Sequence, residues 1–154
     1  MLEIITSSQE ETEALGRRLA KDCLQKEGTV FLALEGDLGS GKTTFLQGLG
    51  EGLGVKDYVT SPTFVIYKKY QGERGRVLYH FDAYRITEKD LEVLNFNEVV
   101  SGENNIVAVE WSENIKESLP EKKIKISFSV TEENKRRLIV SDNNDIIRGE
   151  LRDS

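Results

Sequence analysis

Apolar and polar residues alternate along this chain in blocks with readable periods. Leu2 to Ile5 reads as a short strand. After it, "SSQEE" offers two overlapping capping boxes, Ser7 with Glu10 and Ser8 with Glu11. Leu15, Leu19 and Cys23 then recur at four-residue spacing, which predicts an amphipathic helix ending near Gln25. "TVFLALE" (Thr29 to Glu35) is apolar without alternation, as in a strand covered on both faces. A glycine-rich loop follows, then a helix with Phe45, Leu46, Leu49 and Leu53 inward. "TFVIYKKY" (Thr63 to Tyr70) and "RVLYHFDAY" read as a hairpin about the turn "QGERG". Thr87 caps a short helix, "TEKDLEVL", and "NNIVAVEW" is another buried strand. "KIKISFSV" and "RRLIVSD" alternate like antiparallel strands separated by "TEENK", and about 143–154 reads as a loosely packed tail. The two prolines, Pro62 and Pro120, stand at element boundaries.

These elements predict an α/β fold: one domain over 1–154, its sheet parallel at the centre and antiparallel at the edges, with helices on both faces. The length of 154 residues supports one real core, not a nucleotide domain plus a substrate domain. No apolar run approaches the roughly 20 residues that cross a bilayer, so no membrane role is expected. "MLEIITSSQEE" lacks the pattern of a secretory signal. The single cysteine, Cys23, has no partner for an internal disulfide, which fits a cytoplasmic protein, and its helical position reads as core. A net charge of −6 argues against direct grip on a polyanion, because the basic clusters "YKKY", "EKKIK" and "NKRR" are short and interleaved with acids.

The chemistry concentrates at "GDLGSGKTTF". Gly36, Gly41, Lys42 and Thr43 satisfy G-x-x-x-x-G-K-[ST], between a buried strand and a helix as the phosphate-cradling mechanism requires. Gly39 and Gly41 free the backbone to turn N–H groups inward, where the helix N-terminus adds positive potential. Lys42 is expected at the β- and γ-phosphates and the Thr43 hydroxyl at Mg²⁺. "VLYHFD" and "IVAVE" deliver Asp82 and Glu110 to the same sheet edge. One acid would serve the metal and the other the attacking water, in an order the residues leave open. Thr63, within "SPTF", reads as a switch residue that senses the γ-phosphate. His80, on the same strand face as Asp82, reads as structural; Arg85 reads equally as a transition-state cation or an ion-pair partner. Trp111, next after Glu110, is read on the opposite face, as core or as contact surface. "NKRR" lacks the aspartate of a guanine selector, which favours ATP.

Together, "GDLGSGKTTF", "SPTF", "HFDAYR" and "VEWSEN" resemble the TsaE family, small bacterial ATPases of tRNA threonylcarbamoyladenosine formation, and the resemblance runs from "SSQEETEALG" to "RRLIV". It implies a Mg²⁺-dependent ATPase that acts on the TsaB–TsaD complex and meets tRNA only through it. It also implies a nucleotide set of Asp37, Leu38, Gly39, Ser40, Gly41, Lys42, Thr43 and Thr44. Thr63 is the implied switch, with Asp82 and Glu110 at metal and water, and Trp111 beside the site. The flanks of the adenine are implied near Thr12 and Arg137. A small P-loop kinase that phosphorylates a metabolite or nucleoside is the alternative, and an ATP-sensing switch that barely hydrolyses is a third reading.

Overall fold

The computed structural model describes residues 1–62, 67–147 and 151. Seven strands form one sheet among them: β1 (Leu2–Thr6), β2 (Val30–Glu35), β3 (Tyr67–Gln71), β4 (Val77–Asp82), β5 (Asn105–Glu110), β6 (Ile124–Val130) and β7 (Arg136–Asp142). Their order is β1-β7-β6-β2-β5-β4-β3. β6, β2, β5 and β4 run parallel, while β3, β7 and β1 pair antiparallel. The expected parallel centre and antiparallel edges are therefore present. Continuous apolar runs suit the centre because β2 and β5 are covered on both sides.

One face carries α1 (Gln9–Gln25) and α2 (Lys42–Gly52). Of the two possible boxes, α1 uses Ser8, whose hydroxyl accepts from Glu11 N at 3.1 Å. Leu15, Leu19 and Cys23 are buried, as are Phe45, Leu46, Leu49 and Leu53. The two helices approach so closely that a Cβ on Gly48 would stand 1.9 Å from the Glu13 carbonyl oxygen. Only glycine fits there. The other face is built from α3 (Glu88–Val93), α4 (Phe96–Val100) and a 3-10 segment, Ser112–Ser118. α3 starts as expected at Thr87, whose N and Oγ1 both donate to the Asp90 carboxylate at 2.8 and 3.2 Å.

Two expectations need adjusting. The strand carrying Glu110 stops there rather than including Trp111, because Trp111 takes left-handed backbone angles (φ 58°, ψ 38°) that end the pleat. The last segment is not loosely packed where it is described: Ile146, Ile147 and Leu151 lie in the core under α1 and α2. The Asp142 carboxylate pins this return by accepting from Ile146 N and Ile147 N, both at 2.8 Å. The strand expected from Thr63 to Tyr70 is seen from Tyr67; Thr63 to Ile66 lie outside the described residues. Among the described residues, no helix is long and apolar enough to cross a membrane.

Candidate active site

A cleft of about 540 Å³ opens where β2, β4 and β5 end and α2 begins. Its floor follows from the sheet's period of two. On β4, Leu78, His80 and Asp82 share the face toward α2; on β5, Ile106, Ala108 and Glu110 do the same. Leu78, Ile106 and Ala108 build the core, and the last residue of each strand brings an acid to the cleft. Asp82 and Glu110 are direct register partners on adjacent parallel strands. Like charges side by side are costly unless cations or donors face them.

The loop supplies those donors. Gly39 and Gly41 hold positive φ (78° and 110°), and Gly41 caps α2, so the first amides of the helix point into the cleft. The Thr43 hydroxyl donates to Glu110, 3.1 Å from Oε1 and 3.4 Å from Oε2. Lys42 is buried, donates to the Gly36 carbonyl, and sets its ammonium 3.7 Å from the centre of the Trp111 ring. Burial pushes its pKa below the ordinary lysine value, while the carboxylates of Glu110, Glu113, Asp82 and Asp37 pull it back up. Asp82 is more open than Glu110: it accepts from Tyr84 N at 3.0 Å and faces the Ser61 hydroxyl at 3.5 Å.

Thr43 and the two carboxylates make an all-oxygen donor set, which suits a hard ion such as Mg²⁺. Among the described residues no three His, Cys, Asp or Glu side chains gather as a protein-only cage. The arrangement fits an ion held by one or two carboxylates plus ligand phosphates. At the far end, the start of α1 and the entry to β7 close the cleft. Thr12 hydrogen-bonds Thr6, their oxygens 2.7 Å apart, and Arg136 reaches over Gly41.

Leu38, Gly39, Gly41, Lys42, Thr43 and Thr44 line the cleft, joined by Thr12, Asp82 and Glu110. Asp37 is exposed beside it, its carbonyl accepting from Ser40 N at 3.1 Å, and Ser40 is buried beneath the loop. Thr63 lies outside the described residues. Arg137 is not brought to the site. It pairs with Glu3 at 2.6 Å on the opposite face, and Arg136 lines the cleft instead. Alternation explains the exchange: Leu138 and Val140 are buried toward the helices, so the even position, 136, shares their face. That parity was present in "RRLIV" and identifies the arginine. Trp111 packs against the core of the opposite face, and its left-handed backbone also brings the ring to the cleft, where it meets Tyr84 at 5.0 Å between centroids. Sequence reasoning did not single out Asn134 or Ser61, although they stand in "NKRR" and "SPTF", and it missed the direct Thr43–Glu110 contact, which has no local signal.

The family model described as "Threonylcarbamoyl adenosine biosynthesis protein TsaE" matches residues 6–138. The chain is similar to the tRNA threonylcarbamoyladenosine biosynthesis protein TsaE of Bacillus subtilis, with 44% identity over 121 residues, 79% of this chain and 73% of that one. The protein of the same name from Treponema pallidum is 34% identical over 138 residues, which cover 89% of this chain and 98% of the relative. Among solved structures, the crystal structure of Bacillus subtilis YdiB superposes with a TM-score of 0.73 at 33% identity, covering 94% of this chain and 88% of that one. The match runs from the first helix through the loop and both acid-bearing strands to the arginine over the cleft, and on that breadth the chain belongs to the TsaE family.

Proposed function

We propose that this TsaE-family protein binds ATP with Mg²⁺ in the cleft and hydrolyses it, and that hydrolysis serves tRNA threonylcarbamoyladenosine biosynthesis through the TsaB–TsaD complex. The observation that carries the reading is the Thr43–Glu110 contact at the mouth of the phosphate loop. It brings a strand-end carboxylate to the hydroxyl that a loop of this kind offers to a metal. Lys42 and the α2 N-terminus would neutralise the phosphates. Mg²⁺, when bound, would draw charge from the phosphate oxygens. Glu110 and Asp82 are the two groups able to hold the ion, directly or through water, and to orient an attacking water. The biosynthetic assignment draws on the names of the relatives. TsaB–TsaD is proposed as the partner because the resemblance to the TsaE family implies it.

Free phosphate release, measured with and without TsaB–TsaD, tests this directly. The native protein should turn over slowly alone and faster with the complex, while Lys42→Ala should abolish turnover. Glu110→Ala should bind nucleotide and fail to hydrolyse it. Normal hydrolysis by Lys42→Ala would overturn the phosphate site. Normal hydrolysis by Glu110→Ala with a dead Asp82→Ala would exchange the two acids. Phosphate that leaves only on an added acceptor would make the protein a kinase.

A further inference from the structure

His80 has no part in the chemistry above, yet its placement is costly. Its ring is fully buried on β4, beside Ala108 of β5, on a face otherwise filled by Leu78, Ile106 and Ala108. Nε2 stands 2.5 Å from Oε2 of Glu110, and Nδ1 has no hydrogen-bond partner among the described residues. An unpartnered buried nitrogen costs about 1–3 kcal/mol, and an apolar side chain would fill this place without that cost. Stability given up beside a reactive cleft is the mark of a group retained for what its other nitrogen does.

We propose that His80 is the positioning residue for Glu110: its Nε2–H donates to Oε2 and holds the carboxylate against the Thr43 hydroxyl. The proposal deepens the hydrolysis reading and rests on it. A carboxylate's terminal torsion is broad and loosely held. Here it is clamped from two sides, by Thr43 on α2 and His80 on β4, so both oxygens have fixed directions. A proton on Nε2 fits this contact, because a carboxylate oxygen accepts. Such outer partners of site carboxylates and ligands act through orientation, and losing one typically reduces activity by about 10–100-fold.

The chain has a single histidine, so its imidazole signals in a long-range proton–nitrogen NMR spectrum need no assignment. In the nucleotide-free protein Nε2 should carry a proton, and Glu110→Ala should shift the Nε2 resonance. A ring protonated at Nδ1 alone, or one indifferent to Glu110→Ala, overturns the proposal. In phosphate release, His80→Leu should lower kcat by about 10–100-fold while KM and ATP affinity stay within about threefold. His80→Gln, whose amide nitrogen reaches the Nε2 position, should recover most of the loss. Unchanged kcat in His80→Leu overturns the proposal. Equal collapse of kcat and affinity in both variants does so too, since it marks a merely structural role. If the native protein releases no phosphate, the hydrolysis reading fails by itself, while the spectrum still decides the His80–Glu110 bond. If His80→Leu does not fold, the spectrum and the Gln variant carry the test.

Discussion

The two faces of the sheet are covered by different kinds of structure. On one, α1 and α2 run for 17 and 11 residues and meet at near backbone contact. On the other, α3 and α4 have 6 and 5 residues, and aromatic rings do the filling. Phe96 meets Phe31 and Phe81 edge to face at 6.1 and 5.2 Å, and Tyr67 stacks on Phe81 at 5.1 Å. The same strands serve both: even positions of β4 and β5 pack toward the helix pair and end in Asp82 and Glu110, while odd positions pack toward the rings. The difference shows where the cleft takes its precision. Lys42 and Thr43 stand on the tightly seated pair, and the aromatic face supports the strands from behind.

The sharpest way to break this comparison is Gly48→Ala. A methyl group 1.9 Å from a carbonyl oxygen cannot be absorbed by a rotamer change, so α2 must shift and carry Lys42 and Thr43 with it. The expected loss is about 3 kcal/mol or more, read by chemical denaturation, with nucleotide affinity falling alongside. A variant as stable as its parent would show that the helix contact is not what seats the loop.

The dryness of the helix-pair face can be tested by pH. Burial, first, and the nearby Asp22 carboxylate, second, push the Cys23 thiol from about 9 up to about 12. The folded state thus keeps a proton that the unfolded chain loses, so this contribution is complete below pH 9 and disappears as pH rises toward 12. Denaturation curves should show the native protein losing more stability over that window than Cys23→Ala does. Identical slopes would mean that water reaches the thiol.

On the aromatic face, Phe96→Leu should cost about 1 kcal/mol and leave nucleotide affinity unchanged. A matching fall in affinity would erase the division of labour between the faces. The smallest effect is expected from Arg137→Ala. Its bond to Glu3 is half exposed, so stability should change by less than about 1 kcal/mol. Nucleotide affinity should not move, whereas Arg136→Ala should weaken it; titration with a fluorescent ATP analogue separates the two.

Much of this was legible because the relevant signals are local. The loop announces itself by three glycines and a lysine between a dry strand and a helix, and Leu15, Leu19 and Cys23 lie on the inner side of α1 where a 3.6-residue period places them. Ser8 and Thr87 sit where their capping partners put them. Arg136 was legible in principle, since the alternation of Leu138 and Val140 selects its face. The end of β5 before Trp111 was not, because a left-handed residue at a strand end depends on what the chain does next. Nor was the descent of Ile146, Ile147 and Leu151 into the core, because "NNDIIRGELRDS" is mostly polar and the Asp142 carboxylate, which precedes it, turns it inward.

By itself, then, the order of residues determined the elements, the glycine-rich loop and the arrival of two acids at one sheet edge. Each of these follows from a period or a motif spanning fewer than about ten residues. Only the tertiary structure decided that Glu110 meets Thr43 across 67 positions, that His80 stands behind it across 30, and that Arg136 rather than Arg137 covers the loop. Those contacts depend on strand order and register. They are set by how both sheet faces bury their apolar surface together, which no single stretch of chain encodes.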